Sequence, residues 1–181
     1  SRVIPLTPEQ PRLPKPEWLK VKAPGSANYL RLKSIMRDLK LNTVCEEARC
    51  PNIGECWNHG TATFMILGDV CTRACAYCAV SHGRPAAIDP SEPERVAHAI
   101  HQLNLNYVVI TSVDRDDVKD GGASIFAGVI TETRKRLPEC RIEVLSPDFK
   151  GEEAPLRTVL EARPDIMNHN TETVPRLYRM A

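Results

Sequence analysis

Three cysteines, Cys71, Cys75 and Cys78, stand close together and are separated by gaps of three residues and then two. A loop of that length can place three thiolates on three corners of a four-iron cluster. The fourth iron would stay open to a substrate or cofactor, which is typical of reactive metal sites. A structural zinc site is the alternative, but such sites close with four ligands, commonly as two Cys-x2-Cys pairs. We therefore predict an iron–sulfur cluster here.

A second group of three cysteines lies just upstream, where Cys45, Cys50 and Cys56 are separated by four and then five residues. Pro51 and Gly54 fall inside this group and predict a loop, because both residue types interrupt regular structure. Such a loop would curl around a metal. The alternatives for this group are a structural cluster and a zinc ion.

The composition indicates one globular domain in a reducing, soluble compartment. At 181 residues with 42% hydrophobic side chains, the chain is long enough to bury a core. Odd-numbered cysteine groups favour metal over disulfides, and the isolated Cys140 is expected to be a small buried side chain. No apolar run approaches the roughly 18 residues of a membrane span, and no secretory signal is visible. Prolines across residues 1–24 predict an extended arm.

The net charge is +1, and its basic excess is confined to the first 50 residues. We interpret that segment as a solvated arm rather than as a site for an acidic partner. We accordingly expect neither a nucleic-acid partner nor a membrane partner. The arm leads into a predicted short amphipathic helix, which Ser26 or Asn28 would cap and in which Leu30, Ile35 and Leu39 would face the interior.

Predicted strands and helices alternate along the rest of the chain. Strands are predicted over residues 61–68, 106–111, 141–145 and 165–168, and helices over 91–103, 125–137 and 154–162. Ser91 and Glu94 predict a capping box at the start of the first of these helices. The alternation requires parallel strands with right-handed crossovers, in a barrel or a doubly wound sheet. The cysteines of residues 71–78 follow the first strand's carboxyl end, where α/β proteins bind ligands.

The pattern Cys-x3-Cys-x-aromatic-Cys, with Tyr77 as its aromatic residue, resembles the signature of the radical S-adenosylmethionine (SAM) enzymes. The two cysteine groups together narrow the resemblance to the lipoyl synthase family, over nearly everything from Ser26 onward. The segments that carry it, besides the cysteines, are residues 68–73, 111–117, 143–149 and 168–170. The resemblance implies an α/β fold, a partial (β/α)6 TIM-type barrel over residues 61–181. Residues 1–60 would form an N-terminal extension that carries an auxiliary cluster.

The resemblance also implies an activity, the insertion of two sulfur atoms at C6 and C8 of an octanoyl chain on a carrier-protein lysine. Cys71, Cys75 and Cys78 would hold the 4Fe–4S cluster that binds SAM. A second group of ligands, Cys45, Cys50 and Cys56, would hold an auxiliary 4Fe–4S cluster that is consumed as the sulfur donor. A cluster held by only three thiolates is easier to dismantle than a fully ligated one, which suits that role.

The implied partners are an octanoylated lipoyl carrier protein, either a lipoyl domain or the glycine-cleavage H protein, and an electron donor such as ferredoxin or flavodoxin. A monomer in a bacterial cytoplasm or a mitochondrial matrix is expected. In the family a serine of an Arg-Ser-Ser-Tyr motif is the fourth auxiliary ligand, and that motif is absent here. We expect the sequence to be a fragment that stops after about four β/α units.

Polar residues that follow the predicted strands are the candidate ligand contacts. Those assigned to SAM are Tyr77, Thr111, Ser112, Asp114, Asp116 and Asp117, and those assigned to the substrate are Asn168, Asn170 and Glu172. A solvated acidic turn is an equally good interpretation of any one of the aspartates. Among the histidines, His98 and His101 are expected at the surface, whereas His59 and His82 could donate hydrogen bonds to cluster sulfur.

Two other functions stay open on the sequence alone. The protein could be a non-catalytic metal protein, either an electron carrier or a zinc-stabilised binding module. It could also be a different radical enzyme, such as a biotin-type sulfur inserter or a methylthiotransferase.

Overall fold

The computed structural model of the chain describes residues 14, 16, 17, 23–48, 50–59 and 61–179. Its helices are α1 (Ala27–Asp38), α2 (Val44–Glu47), α3 (Ile53–Asn58), α4 (Glu92–Gln102), α5 (Ala123–Arg136) and α6 (Glu153–Glu161). Its strands are β1 (Asn42–Thr43), β2 (Ala62–Ile66), β3 (Val70–Cys71), β4 (Ser81–His82), β5 (Tyr107–Ser112), β6 (Arg141–Leu145) and β7 (Ile166–Asn168). The predicted proline-rich arm lies almost wholly outside the described residues.

Five strands form one sheet in the order β1-β2-β5-β6-β7, in which β2, β5, β6 and β7 are parallel. Helices α4, α5 and α6 connect successive parallel strands, so the predicted α/β alternation is confirmed. Strand β1 pairs antiparallel with β2, and Thr43 stands opposite Phe64. Strands β3 and β4 form a separate parallel pair beside the sheet.

The core lies between the sheet and the helices that cover it. Val108, Ile110, Ile142 and Val144 of the central strands are fully buried, and they pack with the inner faces of α4 and α5. Burying a side chain of this size contributes about 1.5–3 kcal/mol. Cys140 is also buried, which confirms its predicted place. No helix in the described residues is long and apolar enough to cross a membrane.

Helix α1 is capped by Ser26, whose side chain accepts a hydrogen bond from the amide of Tyr29. Its predicted inner face is wrong in part, because Leu30 is 58% exposed. The helix instead buries Tyr29, Leu32 and Met36, which share one face at a period of 3.6 residues. The polar residues around Leu30 gave no signal that would have distinguished the two faces.

Two local predictions are wrong for reasons of backbone conformation. Ser91 has helical dihedral angles (φ −87°, ψ −6°), so its side chain does not cap α4. It donates to Asp89 and accepts a hydrogen bond from Arg95 instead. Gly54 does not interrupt regular structure, because it lies inside the short helix α3.

We expect Gly122→Ala to destabilise the fold more than Gly151→Ala. Both glycines have left-handed backbone (φ +86° and +78°), which costs a non-glycine residue about 1–2 kcal/mol. A Cβ at Gly122 would in addition lie 2.3 Å from the Cδ1 of Leu67, a side chain that is 3% exposed. Overpacking of this kind adds about 1–3 kcal/mol.

Urea denaturation of the two variants measures the difference in unfolding free energy. Nothing lies within 4 Å of a Cβ at Gly151, so that variant reports the backbone cost alone. Equal losses of unfolding free energy would show that the Leu67 side chain moves aside freely.

Candidate metal centre

Two adjoining cavities of about 300 and 220 Å³ open where the parallel strands of the sheet end. Their walls come from the segments that follow β2, β5 and β7, and the larger cavity also uses the segment after β6. Residues that line both cavities are Arg73, Cys75, Tyr77, Ser112, Asp114, Asn170 and Glu172. Because so much of the wall is shared, we treat the two as one cleft at the carboxyl edge of the sheet.

Cys71, Cys75 and Cys78 all line the smaller cavity, and none of them is in a disulfide. The Cys71 sulfur accepts backbone hydrogen bonds from the amides of Arg73 (3.4 Å) and Asp114 (3.3 Å). Amide donors of this kind stabilise negative charge on sulfur. Three thiols that share one cavity, with amides already directed at one of them, fit a cluster held by thiolates.

No group of three or more His, Cys, Asp or Glu side chains in the described part of the chain is close enough to hold a single metal ion.

Arg73, between the first two of these cysteines, joins three loops. Its guanidinium forms paired hydrogen bonds with Asp116 (2.8 and 2.9 Å) and with Asp148 (2.9 and 2.8 Å), and Asp114 lies at 3.7 Å. Hydrogen bonding to Arg73 is the main cause that lowers the pKa of Asp116 and brings the pKa of Asp148 to about 2. The cysteine loop is thereby tied to the loops after β5 and β6.

Thr72 reinforces this connection through backbone hydrogen bonds. Its amide and its hydroxyl both donate to the carbonyl of Asp114, at 3.0 and 2.9 Å. The same hydroxyl accepts from the amide of Asp116 at 3.1 Å. The loop after β5 therefore cannot move away from the cysteine loop without breaking several hydrogen bonds at once.

Asp114 has a cleft-wall carboxylate that makes no hydrogen bond with Arg73. Burial raises its pKa, and Arg73 at 3.7 Å opposes that shift only through space. Nearby, the hydroxyl of Ser112 is buried without a hydrogen-bond partner in the described residues. Buried polar groups in native proteins are normally paired, so these two side chains fit a ligand that donates hydrogen bonds or carries positive charge.

The structure brings together six of the nine residues assigned to SAM or substrate. Those that line the cleft are Tyr77, Thr111, Ser112, Asp114, Asn170 and Glu172. Asp116 is held by Arg73, and Asp117 makes a paired contact with Arg115, whose guanidinium is 3% exposed. Asn168, on β7, donates to Glu143 of β6. Roles in ligand contact stay predictions for all nine residues.

Arg73, Asp148 and His169 line the cleft, although no role was predicted for them from the sequence. His169 donates from Nδ1 to the carbonyl of Ser146 at 3.0 Å, because a carbonyl can only accept. Its place directly after the fourth predicted strand was the signal available for it. The surface positions predicted for His98 and His101 are confirmed.

Of the two remaining histidines, His82 lies beside the cysteines in the smaller cavity, whereas His59 is exposed on the turn after α3.

The second cysteine group occupies two short helices and the turn that joins them. Cys45 lies on α2, Cys56 lies on α3, and the amide of Cys50 donates to the carbonyl of Cys45 at 3.0 Å. Burial is the main cause that raises the pKa of Cys45, and the charges of Cys50 and Cys56 act in the same direction. Cys45 and Cys56 also pack against the same core cluster, and Cys50 lies between them in the chain, which fits three ligands of one cluster.

We expect Asp148→Asn to lower stability at neutral pH and to flatten its dependence on acid. The pKa of Asp148 is about 2 in the folded protein and about 3.9 in the unfolded chain. Its ion pair therefore stabilises the fold above pH 4, and that stabilisation is lost as the pH falls towards 2. Because the side chain is 45% exposed, the loss at pH 7 should be at most about 1 kcal/mol.

Urea denaturation at pH 7 and at several values between pH 4 and 2 measures this difference. Asp69→Asn is the control, since Asp69 has no ion pair in the part of the chain that the structure describes. A variant of Asp148 that tracks the parent protein at every pH would contradict the role given to the Arg73 ion pair.

Comparison with known proteins gives two family matches. Residues 65–181 match the radical SAM superfamily, and residues 4–50 match the N-terminal domain of lipoyl synthase of the radical SAM family. The chain is 60% identical to the lipoyl synthase of Chloroflexus aurantiacus over 165 residues, which are 91% of this chain and 54% of that protein.

Two further relatives are similar to the chain over much the same region. The lipoyl synthase of Roseiflexus sp. is 60% identical over 168 residues, which are 93% of this chain and 56% of that protein. The lipoyl synthase of Koribacter versatilis is 58% identical over 176 residues, 97% of this chain and 58% of that protein. The chain thus spans about half the length of the curated relatives it matches.

Proposed function

Because the chain belongs to the radical SAM superfamily and, within it, to the lipoyl synthase family, we propose that the whole protein is a sulfurtransferase. It would insert two sulfur atoms, at C6 and C8 of an octanoyl chain attached to a carrier protein. The observation that carries this proposal is the presence of two three-cysteine groups, one in the cleft of the sheet and one on the adjoining short helices.

Cys71, Cys75 and Cys78 would hold the 4Fe–4S cluster that binds SAM. Such a cluster with bound SAM supplies a carbon-centred radical that removes hydrogen atoms from unactivated carbon. The protein's task is to hold the ligand loop still and to enclose the ligand. Arg73 and Thr72 do the first through their contacts with the loops after β5 and β6. The roughly 300 Å³ cavity beside them would enclose the ligand.

Four cleft residues are the proposed SAM contacts, namely Tyr77, Thr111, Ser112 and Asp114. Asp114 is best suited to the ammonium group of SAM, since its carboxylate is partly buried and Arg73, at 3.7 Å, makes no hydrogen bond with it. The unpaired hydroxyl of Ser112 supports a second contact. Asp116 and Asp117, which also belong to the proposed SAM set, would contact SAM beside Asp114 from the same loop.

The substrate would lie towards β7, where Asn170 and Glu172 line both cavities and Asn168 ends the strand. Partial desolvation, together with hydrogen bonding to Cys75 and Glu172, raises the pKa of Tyr77. The phenol therefore stays protonated and can donate a hydrogen bond in the cleft.

Cys45, Cys50 and Cys56 would hold the auxiliary 4Fe–4S cluster, which supplies the inserted sulfur. The proposed partners are an octanoylated lipoyl domain or glycine-cleavage H protein and an electron donor of the ferredoxin or flavodoxin type. The relatives compared above are bacterial, so we propose a bacterial cytoplasm as the compartment rather than a mitochondrial matrix.

Anaerobic purification of the full-length natural protein, followed by iron and sulfide analysis, tests this function. We expect about eight irons per chain, because two four-iron clusters are proposed. Replacing Cys45, Cys50 and Cys56 together by Ala should halve the iron and abolish sulfur insertion into an octanoylated carrier, while SAM cleavage continues. Replacing Cys71, Cys75 and Cys78 should abolish SAM cleavage itself.

Cys140→Ala is the matched control, since Cys140 is buried in the core and lines neither cavity. It should keep the iron content and the product. Stoichiometric zinc with no spectral response to SAM would support a non-catalytic metal protein instead. A full iron content with SAM cleavage but no sulfur in the octanoyl product would point to another radical enzyme.

A further inference from the structure

Among the residues that the structure describes, Trp57 is the largest fully buried side chain, and it directly follows Cys56 on α3. Its relative exposure is 0%, and its ring packs against Tyr29 of α1 with a centroid distance of 5.1 Å and a tilt of 32°. Tyr29 holds one side of the indole, so the ring is fixed by packing at the base of the second cysteine group. An aromatic ring fixed in this way has little freedom to redirect its polar edge.

The indole N–H of Trp57 has no hydrogen-bond partner in the described residues, although it is fully buried. Buried tryptophan usually finds an acceptor for this group, because a buried donor without one loses its hydration and gains nothing in return. A fully buried donor of this kind indicates that its acceptor forms only when a further group binds beside it.

Cys45 is the residue that can become this acceptor. Its thiol is partly buried and packs against the core, and burial is the main cause that raises its pKa. Cys45 packs against the buried cluster to which Trp57 belongs, and the indole is one of the groups that lower the pKa of Cys45 against the effect of burial, although no hydrogen bond of normal geometry joins the two. A neutral thiol is a weak acceptor, whereas a thiolate on iron carries negative charge and accepts strongly.

We propose that Trp57 is a positioning residue for the auxiliary cluster, and that its indole N–H donates a hydrogen bond to the Cys45 sulfur when that sulfur binds iron. This inference rests on the proposed function, since it needs a cluster on Cys45, Cys50 and Cys56. The donor stabilises charge on one of the three thiolates only. Hydrogen bonds to cluster sulfur raise the reduction potential, because the reduced cluster carries more negative charge.

The test replaces the indole at position 57 in the full-length holoprotein, once by Trp57→Phe and once by 3-benzothienylalanine, which keeps the ring shape without the N–H. Iron content, the midpoint potential of the auxiliary cluster and its iron–thiolate Raman bands are measured for each. We expect the iron content to be retained, the midpoint to become more negative and one iron–thiolate band to shift in both variants.

Phe126→Leu is the matched control, because it removes another fully buried ring, on α5, and leaves the Trp57 N–H and the ring that packs on it in place. It should leave the potential and the Raman bands of the parent protein unchanged. If the benzothienyl protein retains the cluster with the parent's potential and bands, the inference is wrong. If it loses the cluster while Phe126→Leu keeps it, the N–H is needed for assembly, which supports the inference.

Failure of the proposed function gives a different result. The parent protein itself would then contain roughly four irons per chain rather than eight, and no auxiliary signal would exist to compare between variants.

Discussion

The arrangement of the cleft depends on the guanidinium of Arg73. Loops after three parallel strands meet at the carboxyl edge of the sheet, and two of them contribute carboxylates that would repel one another if left alone. One planar cation with two paired hydrogen-bond faces neutralises Asp116 and Asp148 and lies near Asp114. Because this cation sits between Cys71 and Cys75, the same contacts that hold the acidic loops also set the course of the cysteine loop. Lysine could not replace it, since an ammonium group lacks the planar fork.

The second cysteine group is stabilised differently, by packing rather than by ion pairs. Helices α2 and α3 are too short to be stable alone. Helix α3 persists because its Trp57 is buried in the core against Tyr29 of α1. Thr43 caps α2 by accepting from the amide of Glu46. The two cysteine groups thus differ in what surrounds them: charged side chains and backbone amides around one, and an aromatic, largely apolar base under the other.

The sequence was sufficient where a strong period or a special residue type carried the information. The strand pattern predicted the four parallel strands of the sheet but not the antiparallel β1, and the cysteine spacing predicted two groups of metal ligands. It was insufficient where contacts join residues far apart in the chain. Arg73 and Asp148 are 75 residues apart, and no local pattern links them. The predicted capping role of Ser91 was wrong because its hydroxyl forms hydrogen bonds with the side chains of Asp89 and Arg95 instead of with the amides at the start of α4.

The antiparallel pairing of β1 with β2 has a geometric consequence for the two cysteine groups. Thr43, two residues before Cys45, is in register with Phe64, and β2 ends five residues before Cys71. The first cysteine of each group therefore lies within five residues of the same pair of hydrogen-bonded strands. Because these two strands are hydrogen-bonded to each other, they fix where the two groups begin relative to one another. A flexible chain that contacts both groups must therefore move from one to the other.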